Sequence, residues 1–181
     1  MEVVEPIRDK KDIKRMKEVL LKQSYRNYFM FTLGINVGLR VPDLLLLKVK
    51  DVRNKDNIYM RNNKTNRDNR FPIIPELKEE INKYTQGMNE EEYLFQSKKC
   101  PGKSLNYDAA YRIIKKAATK IGLEHVGSLS MRKTFGYHHY KRTNDIAFLM
   151  EVFNHSSKHE FLRYIGIDID LRRESLEGGF L

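Results

Sequence analysis

The sequence predicts an α+β fold, mainly α with a small antiparallel β-sheet. Three observations predict it. Apolar residues recur at helical spacing through most of the chain. A single strand–polar loop–strand pattern lies between residues 57 and 73. Hydrophobic residues make up 40% of the 181, enough for a buried core and, at that length, one domain.

Taken in order, Asp9 or Asp12 can cap a helix in which Ile13, Met16, Val19 and Leu20 share a face. A second helix is expected over residues 25–37, ending near Gly38. Pro42 suits the first turn of a third over residues 43–47. NIYMR (57–61) and RFPI (70–73) flank the polar run NNKTNRDN, the pattern of two short strands and a hairpin loop. From Pro75 onward helices are expected over residues 75–85, 105–121, 130–141 and 143–153, with a short one ending near Tyr164. The loop 96–103 and the turn 125–129 separate them.

Charge narrows the partner. The chain carries 34 lysines and arginines against 24 aspartates and glutamates, a net +10 with pI near 9.6. That balance favours a polyanion, and nucleic acid leads because phosphate neutralisation by Lys and Arg dominates such binding. No apolar run approaches the roughly 18 residues of a membrane span; a stretch such as Leu44 to Leu47 is far too short. The N-terminus lacks the apolar stretch of a secretory signal. Cys100 is the only cysteine, so neither an internal disulfide framework nor a multi-cysteine zinc site is available. A reducing cytoplasm fits these features. His155 and His159 form an HxxxH pair, but no Glu or Cys stands at zinc-like spacing, and no metal is predicted. No GxxxxGK[ST] loop is present, and no cofactor is predicted.

Several short motifs carry chemistry, each beside a plainer reading. Arg40 in GLRVPD follows a helix end, where an Arg40–Asp43 ion pair would suffice. Lys64, Thr65, Arg67 and Arg70 load the hairpin, which is either a solvated turn or a finger along a DNA backbone. Arg132 is expected to open a helix with Lys133 in its first turn, where free N–H groups favour an anion. Asn154–His155–Ser156–Ser157 reads as a helix stop and a new cap, and Tyr164 is one of ten tyrosines. Lys64, Arg67, Arg70 and Lys133 are the expected DNA contacts.

In order and spacing, GLRxxD, the KT…RFPI hairpin, MRKTF, NHSS and LRY resemble the catalytic domain of tyrosine recombinases, the phage-integrase family. The resemblance runs from about residue 8 to 170, with 24 residues from Arg40 to Lys64, 23 from Arg132 to His155 and nine from His155 to Tyr164. It implies that Arg40 and Arg132 clamp the scissile phosphate, each able to donate two hydrogen bonds. Tyr164 would attack phosphorus to give a 3′-phosphotyrosyl link, and Lys64 would protonate the departing 5′-oxygen. His155 would hydrogen-bond the phosphate, and Asp43 would brace the site. The resemblance also implies double-stranded DNA as partner, a tetramer on paired sites, and chemistry that needs neither metal nor ATP.

Two departures stand out. The family's His-x-x-Arg motif is here Leu129-Ser130-Met131-Arg132, and leucine can neither hydrogen-bond nor titrate. A lost proton-transfer group costs about 10²–10⁴-fold, so slowed activity is expected; His125 is a remote substitute. In addition, family members carry a helical core-binding domain ahead of the first helix, where this chain has eight residues before Asp9. The expectation is a single catalytic domain over 1–181 without a core-binding domain, either minimal or a fragment. Residues 165–181 are a docking segment, with Ile165, Ile167, Ile169 and Leu171 available to the same subunit or a neighbour. The alternatives are a catalytically weakened, recombinase-like DNA-binding protein and a type IB topoisomerase, the latter disfavoured by the short hairpin.

Overall fold

The structure, a computed structural model, describes residues 4–62, 67–177 and 179. Asp9 caps α1 (Lys10–Gln23), its carboxylate accepting from the Lys11 N–H at 2.7 Å, while Asp12 lies inside the first turn. Ser24 ends α1 and caps α2 (Tyr25–Val37) by accepting from the Asn27 N–H. Phe29, Met30, Phe31 and Leu33 are fully buried in α2, which is apolar on nearly every side and forms the central helix. It packs against α1, against α5 (Pro75–Thr85) and against α7 (Ser128–Thr143).

The chain turns sharply where α2 ends. Gly38 adopts φ +68°, ψ 20°, a left-handed cap that L side chains rarely take. A Cβ there would stand 2.3 Å from the Phe135 ring of α7. This position therefore demands glycine twice over. α3 (Val41–Leu45) starts two residues before the predicted 43, because Arg40 takes the extended cap position and Pro42 falls inside the first turn. It stops at Leu45 because Leu47 must accept a hydrogen bond from the Leu94 N–H. α4 (Val49–Val52) has too few residues to show a period; the Asp51 carboxylate holds it by accepting from the Lys48 N–H.

β1 (Asn57–Asn62) and β2 (Arg67–Pro72) form the expected antiparallel hairpin, with Ile58 opposite Phe71 and Tyr59 opposite Arg70. Ile58 and Phe71 are buried and seat the sheet on the helical body. Both strands run further into the polar segment than predicted, since backbone pairing continues without apolar side chains. α5 matches its prediction, with Pro75 in its first turn. α6 (Tyr107–Lys120) is capped by Asn106 and begins two residues after the predicted 105, because the Leu105 N–H pairs with the Phe95 carbonyl.

α7 begins at Ser128, two residues ahead of the predicted 130. Gly127 is extended and donates to Ser130 Oγ at 3.1 Å, so the cap forms a turn earlier than Arg132. Asn144 ends α7 in a left-handed conformation, Asp145 caps α8 (Ile146–Phe153), and Ser157 caps α9 (Lys158–Tyr164). Gly136 lets α9 approach α7: a Cβ there would lie 2.7 Å from Ile165 and 3.2 Å from Phe153.

The last helix, α10 (Ile167–Leu176), was expected only as a docking segment. Its first part docks on its own subunit. Ile165 and Ile167 are buried, and the Tyr137 hydroxyl donates to Asp170 at 2.7 Å. Arg8 joins Asp170 at 3.1 Å and Glu5 at 2.6 Å, tying the N-terminal segment to α10. Ile169 and Leu171 remain exposed. Among the described residues no helix is long and apolar enough to cross a membrane.

Gly38→Ala combines a left-handed backbone penalty with an overlap against Phe135, and should cost about 2–4 kcal/mol. A urea midpoint close to that of the parent protein would contradict this account of the turn.

Candidate active site

Arg132 lies in the second turn of α7 rather than at its start, so the free N–H groups of this helix fall a turn before it. Its side chain is only 6% exposed, and it is held from two directions. One guanidinium N–H donates to the Gly38 carbonyl at 2.6 Å, another to the Phe153 carbonyl at 3.3 Å. The guanidinium also lies 4.1 Å from the centroid of the Phe153 ring, a favourable contact for a desolvated cation. Burial pulls the Arg132 pKa down, and the charge of Arg40 adds to this, while Tyr164 and Asp43 oppose it.

Arg40 caps α3 two residues after Gly38 and is exposed. The carbonyl that fixes Arg132 and the side chain of Arg40 thus belong to one turn. Arg40 and Asp43 form no ion pair with each other. Asp43 acts instead through its charge on Arg132.

His155 follows the left-handed Asn154 that ends α8, and its N–H donates to the Met150 carbonyl at 2.9 Å. The stop-and-cap reading of NHSS is correct, and it delivers the imidazole. The ring centroid stands 5.2 Å from those of both Phe161 and Tyr164. Desolvation lowers the His155 pKa most and Arg132 next; Glu160 pulls it up, and Arg40 adds a smaller downward push. His159 is exposed, and among the described residues no three His, Cys, Asp or Glu side chains cluster to hold a metal ion.

Tyr164 is the last residue of α9, half-buried between His155, Phe153 and Phe161. Burial raises its phenol above the ordinary value, and the charges of Arg132 and Arg40 partly offset this. The two guanidinium charges favour the phenolate, but burial outweighs them and keeps the phenol protonated at rest.

Arg40, Asp43, Arg132, His155 and Tyr164 thus come together from the α2–α3 turn, α3, α7, the α8–α9 turn and α9. Lys64 lies outside the described residues, as does the side chain of Arg67. Arg70 donates to Asn57 Oδ1 at 2.8 Å across the sheet. Lys133 is half-buried: its ammonium donates to the Val4 carbonyl at 2.7 Å and lies 4.9 Å from the Tyr164 ring centroid. Leu129 is 43% exposed in the first turn of α7. His125 is exposed on the turn before α7, and its carbonyl accepts from the Glu5 N–H. His138 contacts the Ile7 carbonyl at 2.9 Å, and His139 packs on Phe135 and Phe148, both structural placements.

Sequence reading missed the residues that hold the candidate site rather than those gathered in it. Gly38 was visible only as a helix end, and Phe153 only as an apolar residue before NHSS. Neither spacing nor charge couples them to Arg132, because both contribute backbone carbonyls and the partners are distant in sequence.

The fold is that of a tyrosine recombinase catalytic domain. A recombinase crystal structure, XerH bound to palindromic difH substrate after cleavage, superposes with TM-score 0.70 at 19% identity, covering 86% of this chain and 48% of that one. The description of the phage integrase family matches residues 8–169, and the chain belongs to that family. The probable integrase/recombinase YoeC of Bacillus subtilis (strain 168) is 47% identical over 173 residues, covering 96% of this chain and 95% of the relative. The tyrosine recombinase XerA of Pyrococcus furiosus is 28% identical over 169 residues, covering 92% of this chain and 59% of its own length. The chain thus spans nearly all of the first relative and little more than half of the second.

A ring-proton NMR titration should place His155 below the ordinary imidazole value of about 6.5, assigned by loss of its signal in His155→Gln. The sign follows from linkage. A lowered folded value means that the His155 contribution to stability is complete above the unfolded value and is lost as pH falls through the folded one. A midpoint above the ordinary value would contradict the desolvated placement.

Proposed function

We propose that this chain cleaves and rejoins DNA strands through Tyr164, with Arg40, Lys64, Arg132 and His155 as the supporting set and Asp43 as a brace. Tyrosine recombinases are DNA strand-transferring enzymes, and family membership assigns site-specific recombination to the chain. The observation that supports the residue assignment best is the meeting of Tyr164, His155, Arg132 and Arg40 from four separate elements. The net charge of +10 and the DNA-bound state of the XerH neighbour support double-stranded DNA as substrate.

Balanced at phosphorus, the Tyr164 oxygen forms a bond to the scissile phosphate as the bond to the 5′-oxygen breaks. The phenol proton passes to solvent, and Lys64 gives a proton to the 5′-oxygen, leaving a free hydroxyl. The two guanidinium groups stabilise the charge on the non-bridging oxygens, and the fixed position of Arg132 means that little reorganisation is needed. His155, neutral at rest, donates one hydrogen bond to the phosphate. Rejoining runs the same steps in reverse, and the energy of the broken bond is kept in the phosphotyrosyl link. We place Arg67 and Arg70 along the DNA backbone from the hairpin, the chain as one catalytic domain in the cytoplasm, and recombination in a tetramer on paired sites.

Plain DNA binding would require none of the Arg132 burial or its link to Tyr164. The exposed Leu129 favours a slowed enzyme. A nicked duplex carrying a cognate site should trap a covalent adduct, seen on a denaturing gel and absent with Tyr164→Phe. An adduct of equal yield with that variant would overturn the assignment. Leu129→His should raise the cleavage rate, up to the roughly 10²–10⁴-fold that a proton-transfer group supplies; an unchanged rate would show that this position does not limit the chemistry.

A further inference from the structure

Lys133, an expected DNA contact, lies against the Tyr164 ring. It is half-buried on α7, four residues after Leu129 and therefore on the same helical face. Its ammonium lies 4.9 Å from the Tyr164 ring centroid and is anchored by the Val4 carbonyl at 2.7 Å. Val4 belongs to a segment that is itself fastened in several places. Glu5 N–H donates to the His125 carbonyl at 2.8 Å, Ile7 N–H to Thr134 Oγ1 at 2.9 Å, and Arg8 to Asp170 and the Gly166 carbonyl. The anchor of Lys133 is thus a fixed point rather than a loose end.

We propose that Lys133 is a positioning residue for the strand-transfer reaction, seating the Tyr164 ring and stabilising the charge that the ring gains as its phenol ionises. A cation near a ring face is attracted to the neutral ring. The attraction grows when the phenol becomes a phenolate, because the new negative charge is delocalised into that ring. The interaction is therefore stronger along the reaction than at rest, which is what acceleration requires. No titratable group stands at Leu129 to serve the tyrosine, and Lys133 approaches from one turn further along α7. Tyr164 is faced by Arg132 and Lys133 from α7, Arg40 from the head of α3 and His155 from the α8–α9 turn. Lys133 is faced in addition by Glu5 and Arg8. Lys133 keeps its proton throughout; the phenol proton still passes to solvent.

This inference rests on Tyr164 as the nucleophile, and its first test is independent of activity. With 3,5-difluorotyrosine placed at position 164 alone, the ring ionises at a lower pH than tyrosine does and its fluorine signal reports ionisation in the DNA-free protein. Lys133→Gln removes the charge while its amide can still donate to the Val4 carbonyl. It should raise the Tyr164 midpoint by about one unit, a tenfold weaker ionisation, whereas Lys133→Arg should leave the midpoint near that of the parent. An unmoved midpoint in Lys133→Gln, or equal shifts in both variants, would overturn the proposal.

The second test uses a nicked duplex with a sulfur leaving group at the 5′ position, which departs without being protonated. Cleavage of this substrate by Lys133→Gln should be about tenfold slower near neutral pH and recover as pH rises. Weaker DNA affinity with an unchanged rate at saturation would return Lys133 to a DNA contact and overturn the proposal. If no substrate yields an adduct with the parent protein, the recombinase reading fails while the fluorine titration still decides the role of Lys133.

Discussion

The site depends on one buried cation. Arg132 is removed from water almost completely, and such a charge persists only where its N–H groups are satisfied. Gly38 and Phe153 supply the carbonyls and the Phe153 ring supplies a face. Those acceptors lie in different parts of the chain, 94 residues before Arg132 and 21 after it. Satisfying one guanidinium therefore locks the α2–α3 turn, α7 and the end of α8 into a single arrangement.

Function follows from what those three elements carry. The turn fixed by Gly38 presents Arg40, and the end of α8 fixed by Phe153 leads at once to His155 and then to α9 with Tyr164. A lysine in place of Arg132 would offer a point charge that could not reach both carbonyls in one plane. The small residues Gly38 and Gly136 matter for the same reason: they set how closely α7 approaches the two elements it must hold. The cost is a buried phenol held above its ordinary pKa, an effect that the charges of Arg132 and Arg40 only partly offset.

Much of this was legible in the sequence. The extents of α2 and α5 could be read because their ends carry explicit signals, Gly38 in one case and Pro75 in the other. α4 and α10 were not, since the first is four residues long and the second buries only Ile167 of its own residues. The start of α7 was misplaced because its cap is built by Gly127 and Ser130, which lack the usual pattern of an acidic or hydroxyl residue ahead of the helix. The candidate site residues carry spacing that identifies a family. The residues that hold them contribute carbonyls, which every residue has, and so leave no mark. Lys133 shows the same limit: its position is set by the Val4 carbonyl in the N-terminal segment, which leaves no mark in the sequence.

The central claim is that Arg40 and Arg132 act as one unit because a single turn places both. Single-turnover cleavage of a nicked duplex by Arg40→Ala, Arg132→Ala and the double variant tests it directly. Groups acting together on one phosphate lose most of their effect with the first removal. The double variant should be scarcely slower than the slower of the two single ones. Rate losses that multiply in the double variant would show that the arginines act independently, and the account of a jointly held site would be wrong.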